Sequence, residues 1–552
     1  MKNRMKILLA TLVALSLLTA GLAFAEEGLQ LDTGIGMTEA VSALAEVALE
    51  DGALAVDGAA LVSEDVAANA EGDEIVAKIN KANFPAKDFR NYVLANIDAN
   101  GDKNLSRSEA DAVTELMLRT WEDAKAGRNA YNLSSLKGVE YFVNLEQLEC
   151  VACKVKALDV TKNAKLVSLD CSENSLTKLD VTKCPELDEL RCSTNQLTKL
   201  NVTKCPKLTE LDCANNRISA LNVTKCPKLE ELECGENRID KLDVTKCPKL
   251  EELECAENQL QKLDVTKCPK LEELHCTGNR LAVLDVTKCA KLEFLGCEGN
   301  RLWDLDISKC KMLKQLWAGS NNLESLDLTA NTKLEQLQVK ENNLRKLDVS
   351  ANKDLEGLNC ENNKLKTLDL SKNAKLKGLD CGFNDIKKLD LSKCPKLEEL
   401  YAWDNELTSL NVTKCPKLTF LHCESNRLSA LNVTKCPKLR ILVCGDNPFK
   451  ELNLTNNEAL QELNCFNTGL TELDLSKCTK LRQMFCFRSP IKTLDLKNCV
   501  ILRGYIKNGD FWIEKDLAAG WKVTIDGEYT DGLIISPSTT VTNGKKVLYQ
   551  GS

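Results

Sequence analysis

Cysteine is the residue type with the richest chemistry in this chain, and 27 of the 552 residues are cysteines. Because this number is odd, they cannot all pair as disulfides within one chain. One set recurs at intervals of 21 residues, with Ala318, Val339 and Ala402 where a cysteine is missing. Its members are Cys150, Cys171, Cys192, Cys213, Cys234, Cys255, Cys276, Cys297, Cys360, Cys381, Cys423, Cys444, Cys465 and Cys486. Exchange with alanine and valine indicates a small side chain in a packed interior.

A second set of cysteines follows the same interval and alternates with asparagine. The cysteines are Cys184, Cys205, Cys226, Cys247, Cys268, Cys289, Cys310, Cys394, Cys415, Cys436, Cys478 and Cys499, and the asparagines are Asn163, Asn331, Asn352, Asn373 and Asn457. Exchange with asparagine indicates a turn position whose side chain hydrogen-bonds the backbone. Neighbouring strands about 4.8 Å apart hold in-register Cβ atoms too far apart for a relaxed disulfide. Single cysteines on successive rungs also lack the clustered spacing that zinc requires, so we predict buried thiols.

Histidine offers little for catalysis. His275 and His422 are the only histidines, and the seven intervals of 21 residues between them place them roughly 35 Å apart in a stack of strands. They cannot share one catalytic site. The sequence contains no nucleophile elbow, phosphate-binding loop or H-E-x-x-H motif, and its repeated glutamates single out no pair spaced for glycoside hydrolysis. We therefore expect no enzymatic activity.

One short segment has the oxygen donors of a calcium loop. Positions 1, 3, 5, 7, 9 and 12 of this segment are Asp98, Asn100, Asp102, Asn104, Ser106 and Glu109. The segment resembles an EF-hand or dockerin-type loop, which implies bound calcium. Lys103 departs from the pattern, because glycine normally makes the sharp turn there. The alternative is a plain helix-loop-helix cap in which Ser106 and Glu109 form a capping box.

A strict repeat supplies the elements that position these residues. Anchor leucines recur every 21 residues from Leu158 to Leu494, which is 16 intervals, as (494 − 158)/21, without an insertion or deletion. Such regularity predicts a solenoid. The unit L-x-x-L-x-C-x-x-N-x-L-x-x-L-D-V-T-K-C-P-K resembles the leucine-rich repeat, which implies a parallel β-sheet on the concave face. The unit is short and carries repeated prolines, so we expect an extended, non-helical convex side and a small helical N-terminal cap.

The chain ends differ from the repeats. A basic start, an apolar run over 7–24 and Ala23-Phe24-Ala25 predict a signal peptide over 1–25. An acidic, alanine-rich linker is predicted over 26–75, the EF-hand-like cap over 76–130, the repeat domain of about 17 repeats over 131–504, and a C-terminal β cap with Gly-containing turns over 505–552. The net charge is −8, which gives no attraction to nucleic acid or anionic membrane. We see no second apolar run long enough to span a membrane, and expect a secreted or cell-surface product.

Strand alternation shows what the concave face displays. Side chains two residues apart on each strand face outward, and they are acidic in the N-terminal half of the solenoid and aromatic towards its end. The repeated Glu and Lys columns are typical of a solvated face. The predicted ligand-binding residues are Trp317, Tyr401, Trp403, Phe420, Ile441, Val443, Phe466, Phe485 and Phe487. Exposed aromatic clusters are common binding hot spots, although the last of these residues would also suit packing under the C-terminal cap.

The 21-residue period with a strand cysteine is similar to the internalin J type of bacterial leucine-rich repeat protein. The segments 83–114 and 135–142 are similar to the cap and first repeat of secreted or surface relatives. The resemblance implies adhesion-like recognition of a protein partner, on a host or neighbouring cell. The cysteine set that alternates with asparagine departs from the family, and the absence of an LPxTG-like motif puts wall attachment in doubt. The alternatives are a carbohydrate-binding module that uses Trp317, Tyr401 and Trp403, and a structural envelope protein without a discrete ligand.

Overall fold

The computed structural model describes residues 73–118, 133–496 and 498–499, and the backbone of five further strands between 512 and 549. The predicted signal peptide and almost all of the predicted linker lie outside these residues. The chain divides into two compact units, and the described residues up to 428 belong to the first and those from 429 onward to the second. None of the described helices is both long and apolar enough to cross a membrane.

The first unit begins with a small helical region. Strand β1 is Ile75–Lys78, helix α1 is Lys87–Asn96, strand β2 is Asn104–Ser106 and helix α2 is Arg107–Asp111. β1 and β2 pair antiparallel. The buried ring of Phe84 lies 5.8 Å from the rings of both Phe89 and Tyr141. Tyr141 belongs to a 3-10 helix, Val139–Tyr141, so aromatic packing joins the helical region to the repeats.

The repeats of the first unit form one parallel sheet from β3 to β17. Its strands are β3 Glu115–Met117, β4 Gln147–Glu149, β5 Ser168–Asp170, β6 Glu189–Arg191, β7 Glu210–Asp212, β8 Glu231–Glu233, β9 Glu252–Glu254, β10 Glu273–His275, β11 Phe294–Gly296, β12 Gln315–Trp317, β13 Gln336–Gln338, β14 Gly357–Asn359, β15 Gly378–Asp380, β16 Glu399–Tyr401 and β17 Phe420–His422. From β4 onward, each residue pairs with the one 21 positions later. The middle residue of each strand is a buried leucine, and its two neighbours face outward.

The second unit continues with the same kind of strand. β18 Ile441–Val443, β19 Glu462–Asn464 and β20 Gln483–Phe485 are parallel and in register. β21 Thr493–Asp495 pairs with β25 Thr540–Asn543, which pairs antiparallel with β26 Lys546–Tyr549. β22 Trp512–Asp516 and β23 Gly520–Thr524 form a hairpin, and β23 pairs with β24 Gly532–Ile535, which lies parallel to β20.

Buried asparagines connect each repeat to the previous one. Asn258 is representative, because its Nδ2 donates to the carbonyl oxygens of Cys234, Cys255 and Ala256 at 3.0 to 3.2 Å. Its Oδ1 accepts a hydrogen bond of 2.9 Å from the backbone N–H of Ile239. Equivalent bonds recur from Asn195 to Asn384. Each repeat therefore satisfies buried backbone groups of its predecessor, which a single repeat could not do.

The cysteines that alternate with asparagine occupy a second hydrogen-bonding position. The Cys205 thiol donates to the carbonyl oxygen of Val181 at 3.6 Å, whereas Asn331 Nδ2 donates to the equivalent Ile307 oxygen at 3.1 Å and to a second carbonyl, that of Cys310. The buried Asn331 Oδ1 has no hydrogen-bond partner. Cysteine thus supplies the donor without burying an unpaired acceptor, which explains the exchange of the two residue types.

The side of the repeats opposite the sheet is extended. Asp180 Oδ1 accepts hydrogen bonds from the backbone N–H and the hydroxyl of Thr182, and the same turn recurs along the chain. Pro185 follows in the next turn and is exposed. Its ring fixes φ and offers no donor to a helix. The expectation of a non-helical side is therefore confirmed over the described repeats.

Candidate functional site

Each parallel strand has two outward side chains, one on either side of its buried middle residue, and the residue two positions after the second of them also belongs to this surface. We call the surface formed by these three columns of side chains the strand face. In the first unit this face carries two neighbouring acidic columns. The first column contains Glu189, Glu210, Glu231, Glu252 and Glu273, and the second contains Asp212, Glu233 and Glu254. Arg191 pairs with Glu189 and, at 2.6 Å, with Glu210.

Crowding on the strand face disfavours ionisation of these carboxyl groups. Desolvation, reinforced by Asp212, raises the pKa of Glu233 to about 8. Desolvation, reinforced by Glu273, raises the pKa of Glu252 to about 7. Desolvation is the larger cause of both shifts, and like charges on strands about 4.8 Å apart add to it. A cation bound beside these carboxyl groups would favour their ionisation.

The first aromatic group on this face lies beside the acidic columns. The His275 ring stacks on Phe294 with 4.2 Å between centroids, and Phe294 meets Trp317 edge-on at 5.1 Å. These residues lie on β10, β11 and β12. The indole Nε1 of Trp317 is buried and has no hydrogen-bond partner. Four strand spacings, or about 19 Å, separate β12 from β16, so Trp317 does not share a platform with Tyr401 and Trp403.

A larger aromatic group, which we call the aromatic platform, lies around β16 and β17. Tyr401 stacks on Phe420 with 4.5 Å between ring centroids. Trp403 stacks on His422 at 5.4 Å with an interplanar angle of 3°, and meets Phe383 edge-on at 4.3 Å. Tyr401, Trp403 and Phe420 are half-buried, His422 is buried, and 42% of Phe383 is exposed. The platform offers rings already held by their neighbours, which lowers the entropy lost on binding.

Two backbone features shape the aromatic platform. A Cβ at Gly382 would collide with the Trp403 indole, so the missing side chain makes room for that ring. Phe383 has φ 49°, a left-handed conformation that an aromatic residue rarely adopts. Other repeats place Ala, Gly, Asn, Asp, Ser, Thr, Glu or Arg at this turn position, with a similar positive φ. The conformation therefore belongs to the repeat turn, and Phe383 is distinguished by its aromatic side chain.

An acid lies beside the aromatic platform. Asp380 is opposite Tyr401 on the adjacent strand, and its Oδ1 accepts a hydrogen bond from the backbone N–H of Gly382 at 3.1 Å. Desolvation, with a contribution from Glu361, raises the pKa of Asp380 to about 7. Desolvation, with contributions from Glu399 and Asp380, raises the pKa of the Tyr401 hydroxyl. The platform combines apolar rings with an acid whose ionisation a nearby cation would favour, which suits apolar and cationic side chains.

The remaining predicted residues belong to the second unit. Ile441 and Val443 are the half-buried ends of β18, and Phe485 ends β20. Phe466 and Phe487 stack with 4.9 Å between centroids, and the Arg488 guanidinium lies 5.9 Å from the Phe487 ring centroid. The nine predicted residues therefore fall into separate groups, and Phe383 and His422 were missed. Phe383 could have been found from its break with the turn consensus, and His422 from its place beside Trp403.

The calcium-like loop folds as a tight turn. Lys103 has φ 65°, the left-handed conformation that glycine usually supplies there, so its side chain does not prevent the turn. Asp98 is buried, and its Oδ2 accepts from the Lys103 backbone N–H at 3.0 Å while its Oδ1 has no hydrogen-bond partner. Both Glu109 oxygens accept hydrogen bonds, one from Ala99 and one from Ser106. The capping box is present, and the loop also offers one unpaired acceptor that suits a cation.

The cysteine thiols are expected to be unreactive in the folded chain. All 27 are buried thiols. Desolvation raises the pKa of every cysteine for which a shift is resolved, for example of Cys247 and Cys289 to about 11. The reactive form is the thiolate, so these groups are protected both by burial and by protonation.

The lysines of the turns pair with glutamates of the preceding repeats. Lys249 lies 3.3 Å from Glu230, Lys270 lies 2.9 Å from Glu251, and each of these side chains is nearly half exposed. Exposed pairs of this kind contribute little to stability. This agrees with the interpretation of the lysine columns as a solvated face.

Comparisons with known proteins support this architecture. Residues 206–246 match the model for leucine-rich repeats in two copies, and a search of curated proteins found no match. The chain is similar to the functional domain of InlJ from Listeria monocytogenes, which includes a cysteine ladder, with 26% identity, a TM-score of 0.51, and coverage of 77% of this chain and 78% of that one. The chain has a leucine-rich repeat fold.

Two further structures share the leucine-rich repeat fold. YopM from Yersinia enterocolitica is 24% identical with a TM-score of 0.54, and the match covers 69% of this chain and 84% of YopM. The plant peptide hormone receptor RGFR1, solved in complex with RGF2, is 20% identical with a TM-score of 0.58, and the match covers 72% of this chain and 78% of the receptor. The predicted leucine-rich repeat solenoid is therefore confirmed.

Proposed function

We propose that this protein is an exported, non-catalytic leucine-rich repeat protein that recognises a protein partner through its strand face. The aromatic platform carries the proposal. It combines stacked, half-buried rings with an exposed Phe383, and none of these residues continues the repeat consensus. Packing alone requires leucine at the inward positions and leaves the outward ones unconstrained, so outward aromatic residues indicate contact with another molecule.

The charge around the aromatic platform indicates the kind of partner. Asp380, together with the nearby acids Glu361 and Glu399, favours a protein segment with cationic and apolar side chains. The same fold holds RGF2 in RGFR1. The predicted signal peptide supports export, and the similarity to InlJ supports a bacterial cell-surface or secreted location. A partner on a host or neighbouring cell fits this location.

The proposal is tested by affinity capture from host-cell and bacterial-surface extracts, with the full chain as bait. We expect a protein that binds the parent, and about thirtyfold weaker binding or more after Tyr401→Ala, Trp403→Ala and Phe420→Ala together, because loss of one hot-spot ring costs about 2 kcal/mol. Gly382→Ala should weaken binding as well, because it displaces the Trp403 indole without removing any aromatic side chain.

Gly378→Ala is the matched control, because a Cβ at Gly378 meets no atom within 4 Å. It should capture the partner as the parent does. Equal capture by parent and triple variant would contradict recognition at the platform and favour a structural envelope role. A sugar-specific signal on a glycan array, lost after Trp403→Ala, would instead favour the carbohydrate-binding alternative.

We also propose that the N-terminal loop binds calcium. Support comes from the donor residues Asp98 to Glu109, the left-handed Lys103 and the unpaired Asp98 Oδ1. Asp98 and Asp102 would provide carboxylate oxygens, and Glu109 would exchange its hydrogen bonds for the ion. Calcium would stabilise the helical region that covers the first repeat and would leave the strand face unchanged.

Calcium at 100 times its dissociation constant is expected to stabilise the cap by about 2.7 kcal/mol, seen as a rise in thermal midpoint. Asp98→Asn should abolish the rise. Asp88→Asn is the control, because Asp88 lies in the first turn of α1, outside the loop. A midpoint that calcium leaves unchanged in the parent, or raises equally in the Asp98 variant, would contradict the proposal.

A further inference from the structure

A group of three potential metal ligands lies on the strand face of the first unit, away from the aromatic platform. One ligand atom from each of Glu252, Glu273 and His275 lies within 4.8 Å of the other two. It is the one such group of histidine, cysteine and acidic side chains found among the described residues. Glu252 and Glu273 are register partners on β9 and β10, and His275 ends β10.

His275 has a carboxylate beside its Nδ1 and an aromatic ring against its face. Its Nδ1 lies 3.5 Å from Glu254 Oε2, while Glu254 Oε1 accepts a hydrogen bond of 2.8 Å from the Ala256 backbone N–H. Phe294 stacks against the ring. A histidine oriented by a carboxylate at one nitrogen commonly binds a metal through the other. Here that atom is Nε2.

The Nε2 atom is a buried polar group without a hydrogen bond. His275 is 9% exposed, and Nε2 lies 3.6 Å from Glu273 Oε2, which is longer than a hydrogen bond. A buried nitrogen left unpaired costs free energy. Two carboxylates and an imidazole whose ligand atoms lie within 4.8 Å of one another form a ligand set with excess negative charge, which a divalent cation would balance.

We propose that Glu252, Glu273 and His275 Nε2 bind one divalent transition-metal ion, best represented by Zn²⁺, with Glu254 as the residue that positions the histidine. The imidazole ligand favours zinc over calcium and magnesium, which prefer oxygen ligands alone. The long glutamate side chains can close the remaining distance by rotamer changes. Water would fill the fourth position of a tetrahedral ion.

His422 provides an internal comparison. It has the same position at the end of β17 as His275 has at the end of β10. The residue equivalent to Glu273 is Phe420, and the residue equivalent to Glu254 is Tyr401. His422 therefore lacks both the second carboxylate ligand and the orienting acid on the adjacent strand, and we expect no metal site there.

The test is zinc titration of the full-length, metal-free and reduced chain against a chromophoric chelator, with Co²⁺ absorption as a second readout. We expect one Zn²⁺ per folded chain, insensitive to excess Ca²⁺, and Co²⁺ bands without thiolate charge transfer. His275→Gln and Glu273→Gln should each weaken zinc binding at least about a hundredfold, and Glu254→Gln about tenfold. His422→Asn should bind zinc as the parent does.

Two results would overturn the proposal. The first is no zinc binding by the folded parent, which would mean that His275 is satisfied as an imidazolium between glutamates. The second is zinc binding that survives His275→Gln and Glu273→Gln or shows thiolate charge transfer with Co²⁺, which would place the ion on cysteines. Circular dichroism of each variant separates loss of a ligand from loss of the fold.

Discussion

Replacing Asn258 by alanine is expected to speed exchange of the neighbouring backbone amides by about two to four orders of magnitude. The side chain makes three donor contacts to carbonyls and one acceptor contact to Ile239, and three of these four contacts are buried. Alanine would leave the buried backbone groups without a hydrogen-bond partner, and water could not reach them to replace it. Each orphaned group costs about 1 to 3 kcal/mol, so a loss of about 3 to 5 kcal/mol is reasonable after partial relaxation.

Hydrogen exchange followed by mass spectrometry measures this effect repeat by repeat, which suits a solenoid whose unfolding is not all-or-none. Asn222→Ala is the matched control. Its Oδ1 accepts only from Thr224 in an exposed turn, so a cost of about 1 kcal/mol is expected. Equal exchange rates in the two variants would show that the buried asparagines do not bind the repeats together.

The 27 cysteines are expected to resist alkylation as long as the chain is folded. Burial raises the pKa of the Cys247 thiol from 9.0 to about 11. At pH 8 this shift lowers the thiolate fraction about a hundredfold. Complete burial slows the reaction further, because the reagent must wait for local opening. Intact-mass measurement after iodoacetamide treatment should find an unmodified native chain and 27 labels after unfolding in urea.

Trp303→Cys supplies a positive control, because 64% of Trp303 is exposed. The new thiol should react at the rate of a small-molecule thiol. Rapid labelling of several native cysteines would contradict the buried ladders. Fewer than 27 labels in the unfolded, unreduced chain would reveal disulfides.

The fold could be predicted because the 21-residue unit recurs without an insertion or deletion. The 21-residue interval determines register, so leucine, the strand cysteine and the conserved turn positions return to the same place in each repeat. The exchange of cysteine with asparagine in the second set also indicated its hydrogen-bonding role before the Cys205 and Asn331 contacts were known. A local hydrogen-bonding role that recurs in many repeats can be predicted from the sequence alone.

The candidate sites were less accessible to sequence reasoning, because they depend on side-chain packing between repeats. His275 and Glu273 could be assigned to columns, but the stacking of His275 on Phe294 and the position of its Nε2, 3.6 Å from Glu273, could not be predicted. Phe383 was missed because its turn position usually faces solvent. The pairing of β24 with β20 joins residues about 50 positions apart without a repeat to set the register. The division into five segments and the calcium site remain predictions.

The central claim, recognition through the aromatic platform, is tested most directly by radical footprinting of the complex with its captured partner. Mass spectrometry would compare labelling of Tyr401, Trp403 and Phe383 with that of the exposed Trp303. We predict that the partner protects the platform residues at least about tenfold and leaves Trp303 unchanged, because buried hot-spot rings lose contact with water. Protection of Trp303, with platform residues labelled as in the unbound chain, would contradict the account.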